Sequence, residues 1–249
     1  MTFSSFLQKV MLLSLIIMAI TYFNKEKLPS PDYYDIPVPP PIQTKTDRKV
    51  FEVSVDKEHY HITPLYDYQL EGIVVSKHHS DAFLDMSHEE WRDYLNIADL
   101  CVIWGDNVKN GVYQDMKFKN GNWTCYFSWP NSAVRQRFKE EQLSNNHLLT
   151  DNSIIKKQIL GASPGDHIRL KGILVNYANR ANQFNRGTST SRTDRGQGAC
   201  EVIYIKSFDF IQKANSFQRI LFEVSKVIFF FSLFLSLLLY FTSRRKKQL

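Results

Sequence analysis

Residues able to do chemistry fall in a few short stretches. Ser144-Asn145-Asn146-His147 sets an imidazole behind two amides. A catalytic role for His147 needs a nucleophile and an orienting carboxylate beside it. Linear spacing does not bring Asp106, Asp151 or Ser191 to it, so no catalytic set is assigned. Asn and His also satisfy the free N–H groups at a helix entrance, and the run is read as caps for a following helix. His78, His79, Asp81 and Asp85, with His88 and Glu89 close by, are metal-ligand types without a ligating rhythm such as His-Glu-x-x-His. No metal and no cofactor is expected, and a hydrated loop with a helix cap accounts for the stretch.

Binding is the other chemistry on offer. The loop Asn179 to Gly198 holds Arg180, Arg186, Arg192 and Arg195 against Asp194, among serines and threonines. Arginine grips phosphate or carboxylate through two parallel N–H donors, so the loop is a candidate clamp; a mobile, merely soluble loop has the same composition. Trp104, Tyr113, Trp123, Tyr126 and Trp129 offer a stacking platform if alternation turns some outward, or core if it does not. Cys101, Cys125 and Cys200 are too few for a disulfide framework or a paired zinc site. One bridge, Cys101 to Cys125 between neighbouring strands, is the pairing open to them in an oxidising compartment, and three buried thiols are the alternative. Asn122-Trp123-Thr124 fits the glycosylation acceptor pattern.

These residues need a scaffold, and the chain ends say where it sits. Val10 to Phe23 is uncharged, with Phe6 and Leu7 extending it past Lys9. About 20 such residues cross the hydrocarbon. A cleaved signal peptide competes, but bulky Tyr22 and Phe23 follow Ala19 and Thr21, where a small-x-small site belongs. Val227 to Phe241 is the second apolar run, ending in Arg244, Arg245, Lys246 and Lys247. Those four supply most of the net +6, from 31 basic and 25 acidic residues, so nucleic acid is an improbable partner. Basic residues stay on the cytoplasmic side, which puts both termini inside and the middle of the chain outside. Lys25 and Lys27 outnumber Lys9 across the first span and pull the other way. Ser232 and Ser236 share one helix face that can meet the first helix or be satisfied by its own backbone.

With 1–27 an anchor and 213–249 a transmembrane helix with its tail, roughly 150 to 190 residues remain for soluble structure. Hydrophobic and aromatic contents of 43% and 14% suffice for a packed core. Prolines at 29, 31, 37, 39, 40 and 41 mark 28–48 as a stiff extended spacer. From 49 to 212 the pattern is mostly β with one or two helices. Phe51, Val53 and Val55 alternate with polar residues, with Tyr60 and Ile62 as partner strand. Gly72 and Gly172 sit mid-strand. Asn110-Gly111 and Asn120-Gly121 predict two hairpins and three antiparallel strands. Ser87 and Glu90 cap a short helix. Ile154, Ile155 and Ile159 give the buried face of another, begun at Thr150 or Asp151 and ended by Gly161.

Strands, a hairpin, a helix and two final strands, with mid-strand glycines at Gly72 and Gly172, resemble the OB-fold, a five-stranded Greek-key barrel. The resemblance spans about residues 66 to 212 and is one of pattern; Leu100 to Trp104 and Phe51 to Val55 exceed five strands, and a β-sandwich is the alternative. It implies a ligand face beside the loops His78 to Glu90 and Asn179 to Gly198. Without a catalytic constellation, the favoured function is non-enzymatic: a membrane-anchored extracytoplasmic module that binds a protein or polymer of the cell envelope and is free to form oligomers. A membrane-tethered hydrolase using His147 or the His78-His79 loop is the second reading, and an OB-type polyanion or nucleic-acid binder the third.

Overall fold

The computed structural model describes residues 3–35, 37–80, 86–194 and 200–245. They divide into two compact units, the terminal helices and Leu28–Ala214. In chain order the elements are α1 (Phe3–Asn24), β1 (Ile42–Lys45), β2 (Phe51–Val55), β3 (Glu58–His79), α2 (Met86–Glu90), β4 (Asn96–Ile103), α3 (Asp106–Lys109), β5 (Lys117–Gly121), β6 (Thr124–Ser128), α4 (Ser132–Arg137), β7 (Leu143–Leu149), α5 (Ser153–Leu160), β8 (His167–Asn179), β9 (Asn185–Arg186), β10 (Glu201–Gln212) and α6 (Ser216–Arg245).

Helices α1 and α6 are long and apolar enough to cross a membrane, over Ser5–Asn24 and Ser216–Thr242. Leu7, Ser14 and Thr21 on α1 and Ser225 and Ser232 on α6 are buried. Their spacing of seven keeps small side chains along one seam, where two helices can approach closely. Ser14, Thr21 and Ser232 satisfy their hydroxyls on their own helices. Both settings expected for the serines thus hold at once for Ser232.

The second unit is mostly β, built on a mixed eight-stranded sheet and a separate β5–β6 hairpin. Its main pairings run in a ring: β3 with β4, β4 with β7, β7 with β10, β10 with β8, and β8 back to β3. Every neighbour is antiparallel except β7 and β10, which are parallel. Strands β1 and β2 add to β3, and β9 to β8, so the sheet is more than a plain barrel. Gly72 on β3 and Gly172 on β8 stand where a neighbouring strand passes too close for a side chain. A Cβ on Gly72 would lie 2.7 Å from the Ile103 carbonyl oxygen, and one on Gly172 2.5 Å from that of Tyr204, closer than any real Cβ packs. Leu70, Ile73, Leu100, Leu148, Ile168, Leu174, Ile203 and Phe208 fill the main core.

Several sequence expectations change. The proline segment is no free spacer: Tyr34 and Val38 are buried in the core, β1 pairs with β3, and the Val38 carbonyl accepts from the Gly105 N–H. Two tyrosine hydroxyls tie it down further, Tyr34 to the Gly165 carbonyl and Tyr113 to that of Pro29. Asn110-Gly111 closes α3 instead of a hairpin, because the left-handed φ of 69° at Gly111 serves a helix end as readily as a turn. Only the second hairpin forms, and its turn falls at Asn122-Trp123, with Asn120 and Gly121 the last residues of β5. Leu100 to Trp104 is no surplus strand but the body of β4. Ser144 to His147 is not a helix entrance; it is the middle of β7, with every side chain buried. Asn152 caps α5 with its side chain, and Ile154 faces solvent at 69% exposure. Four short helices, α2 to α5, stand in this unit where one or two were expected, all of them in connections between strands.

Candidate functional site

The polar centre of the domain follows from strand register. On β4 and β7, Asp99 stands opposite His147 and Cys101 opposite Asn145. On the parallel side, Glu201 of β10 stands beside Asn146, which brings Cys200, one residue earlier, next to Asn145. Side chains alternate along a strand, so Asp99, Asn145, His147 and Cys200 share one face. There His147 Nδ1 lies 2.6 Å from Asp99 Oδ1, both groups buried. Asp99 also accepts from Asn96 Nδ2 at 3.0 Å and from the backbone N–H of Trp123 at 2.9 Å. Asn145 Nδ2 lies 3.6 Å from Cys200 Sγ and donates to the Trp123 carbonyl at 3.2 Å. Its amide oxygen accepts from Asn120, which is bonded in turn to Ser76.

Burial opposes charge on both partners, and the pairing prevails on each. Buried without water, the Asp99 carboxyl would rise, yet the His147 charge and the hydrogen bonds from His147 and Asn96 hold it below the usual carboxylate range. Burial likewise disfavours the His147 imidazolium, but Asp99 and then Cys200 raise it to about 9. The pairing therefore draws a proton onto the His147 imidazole. The Cys200 sulfur is its neighbour on the other side, while Nε2, the nitrogen turned from Asp99, is buried and makes no hydrogen bond of regular geometry. Cys200 is a free thiol, partly exposed.

The thiol opens into a cleft of about 1290 Å³. One wall is the tip of the β5–β6 hairpin, carrying Trp123 at a positive φ of 60°, a strained backbone for a bulky residue. Trp123 is held there by Asp99 on its N–H, by Asn145 on its carbonyl and by His88 Nε2, which accepts its indole N–H at 2.8 Å. A disulfide joins Cys125, on that hairpin, to Cys101 on β4. The loop after α2 gives Trp91, and the loop after β8 gives Phe184, Arg186 and Arg192. Glu140, Glu141, Asp194 and Glu201 add acidic groups to the lining.

The residues singled out from sequence scatter. Arg186 lies 4.9 Å over the Trp123 ring, in the cleft. Arg192 is ion-paired to buried Glu201, and Arg180 to Glu52 on another part of the surface. Arg195 lies outside the described residues, as do Asp81 and Asp85. Trp104 and Tyr113 are core, at 2% and 0% exposure, so the five aromatics form no single platform. Trp123 alone of them lines the cleft. Asp106 is paired with Lys139 on the surface and Asp151 accepts from Tyr204, so neither orients His147. Among the described residues no His, Cys, Asp and Glu group is arranged to hold a metal ion.

The chain matches no family model, no curated protein and no solved structure. What the site can do is read from its own geometry. Asp99 and Cys200, the neighbours of His147, went unassigned in the sequence; the one local signal for Cys200 is its place directly before the strand that starts Glu201-Val202-Ile203.

Glu201 carries a testable pH dependence. Burial raises its carboxyl to about 7 against the pull of Arg192, above an unfolded value of roughly 4.3. An acid raised on folding adds stability that is complete below the unfolded value and lost as pH climbs through the folded one. Between about pH 4.5 and 7 the wild type should lose roughly 2 kcal/mol that Glu201→Gln retains, read as the difference between their urea unfolding curves in detergent.

Proposed function

We propose that this chain is a membrane-tethered, cysteine-dependent acyl hydrolase acting outside the cytoplasm, the second of the readings open to the sequence. One observation carries it: Cys200, just before β10, lines a cleft, and behind it His147 on β7 and Asp99 on β4 are buried as a hydrogen-bonded pair on the same face. A nucleophile, a base and an orienting carboxylate in that sequence are the requirement for covalent catalysis at a carbonyl. Asp99 fixes the imidazole so that Nε2 faces away from it, toward the thiol side.

The reaction follows from these positions. The Cys200 sulfur passes its proton to His147 as it attacks an acyl carbonyl to form a thioester. The leaving amine or alcohol departs with the proton from His147. Asn145 Nδ2, held by Asn120, donates to the oxyanion as it develops. Water then gives a proton to neutral His147 and attacks the thioester; a carboxylic acid leaves and the proton returns from His147 to the Cys200 sulfur.

An OB-fold is the finer reading of the domain. It is supported by the strand order 1-2-3-5-4-1 that the ring makes when β3, β4, β7, β8 and β10 are counted in turn, by its one parallel pair and by α5 before the fourth strand. The cleft's lining also fits the OB-fold pattern of ligand sites, with Leu143 to Asn145 of the third strand and residues of loops one-to-two and four-to-five. The outward placement is supported by the basic tail at Arg244 to Lys247 and by the Cys101–Cys125 disulfide, which persists in oxidising compartments. A reporter fused after Leu249, with protease added to spheroplasts, reads that orientation: tail protected and domain cleaved.

Chemistry is tested with p-nitrophenyl acetate on full-length protein in detergent. The expected result is a burst of one p-nitrophenolate per chain and an acetyl group on Cys200 by mass spectrometry, both absent in Cys200→Ala. A Cys200 that acetylates no faster than in unfolded protein would overturn the enzymatic reading and leave the cleft as a binding site for an envelope protein or polymer.

A further inference from the structure

Of the two arginines among the described residues that line the cleft, Arg192 is engaged with buried Glu201. Arg186 makes no ion pair or side-chain hydrogen bond with any described residue. Its position is nevertheless fixed. Its backbone is paired to Tyr177 through β9, and its guanidinium lies 4.9 Å over the indole of Trp123, a contact that orients the planar group and leaves its N–H edge free. Trp123 is itself held by Asp99, Asn145 and His88, the first two of which also set the positions of His147 and Cys200. Anchor and nucleophile are thus built on one rigid piece. Asp93 is near enough to feel the Arg186 charge, but its carboxyl is buried on Tyr177, away from ion-pair reach.

We propose that Arg186 binds a carboxylate on the acyl substrate, so that the preferred substrates are acyl compounds carrying a free carboxylate near the scissile carbonyl. This rests on the enzymatic reading above. A single unmatched guanidinium suits a monoanion bound bidentately. Glu140, Glu141, Asp194 and Glu201 line the same cleft and would repel the second charge of a phosphate dianion.

The test uses two alkylating agents of nearly equal size on the full chain in detergent, iodoacetate and iodoacetamide. In both, the Cys200 sulfur forms a bond to carbon and iodide leaves. The quantity is the iodoacetate-to-iodoacetamide rate ratio at Cys200. It should fall at least about tenfold in Arg186→Gln, the cost of one charge-assisted pair, and only partly in Arg186→Lys, which keeps the charge and loses the fork. Arg180→Gln removes the same charge at a pair outside the cleft and should leave the ratio as it is. A ratio unchanged in Arg186→Gln, or lowered equally by Arg180→Gln, would overturn the anchor. So would protection of Cys200 by inorganic phosphate but not by acetate. Failure of the underlying reading looks different: both agents then alkylate Cys200 no faster than in urea-unfolded protein, and His147→Gln changes neither rate.

Discussion

Asp99→Asn is expected to slow alkylation of Cys200 by iodoacetamide at least tenfold at pH 6 to 7, roughly the worth of one positioned proton partner, and to cost about 3 kcal/mol of stability. The substitution keeps the size of the side chain and removes its charge. His147 is fully buried, so without the Asp99 charge the main offset to the desolvation of an imidazolium is lost, and the neutral ring is favoured. Asp99 is a positioning residue, and a pH profile separates that role from simple loss of packing. In the wild type His147 keeps its proton up to about 9, so the rate advantage should persist across neutral pH and shrink above that value. Stability obeys the same sign. A histidine raised on folding stabilises fully below its unfolded value near 6.5 and loses that contribution as pH rises through the folded one. The wild-type unfolding midpoint should therefore drop between about pH 6.5 and 9, a slope absent from the variant. A variant with the same pH profile as the wild type would show that Asp99 does not act through His147.

Breaking the Cys101–Cys125 bridge should have the second large effect. It closes a loop of 24 residues, worth about 3 kcal/mol by loop-closure entropy. The consequence reaches the cleft because the bridge holds the hairpin that carries Trp123. Once β6 is released, the positive φ at Trp123 is maintained by the hydrogen bonds to Asp99, Asn145 and His88 without the covalent tie, and strained backbone relaxes when its surroundings allow. Cys101→Ser with Cys125→Ser should thus unfold at lower temperature and also lose p-nitrophenyl acetate turnover at temperatures where it remains folded. Full turnover in the folded double variant would show that the hairpin is not needed to shape the site.

Much of the framework was legible because its causes are local. Long apolar runs at the two ends, the alternation of Phe51, Val53 and Val55 with the Tyr60–Ile62 partner, and glycines where strands cross at close quarters all write themselves in short windows of sequence. The misreadings share a reason as well. Ser144 to His147 reads as capping residues since Asn and Ser favour such places. In the fold they are strand residues whose polar groups are met by Leu100, Asp99 and Asn120, residues 46, 48 and 25 positions away. Asn110-Gly111 has the conformational freedom for a hairpin, and a helix end used it. Cys200 looks like a spare thiol until the parallel register of β7 and β10 sets it against Asn145, and nothing local to residue 200 specifies a partner strand over fifty residues earlier.

The proline-rich stretch carries a practical corollary for anyone wishing to make the domain without its lipid anchors. With Tyr34 and Val38 inside the core and Tyr33 bonded to the carbonyl of Lys213, the first and last turns of the unit clasp each other. A water-soluble fragment trimmed to begin at β2 would discard a plug as well as a tether, baring greasy sockets that invite aggregation, whereas one cut at Leu28 and Ala214 keeps the clasp shut.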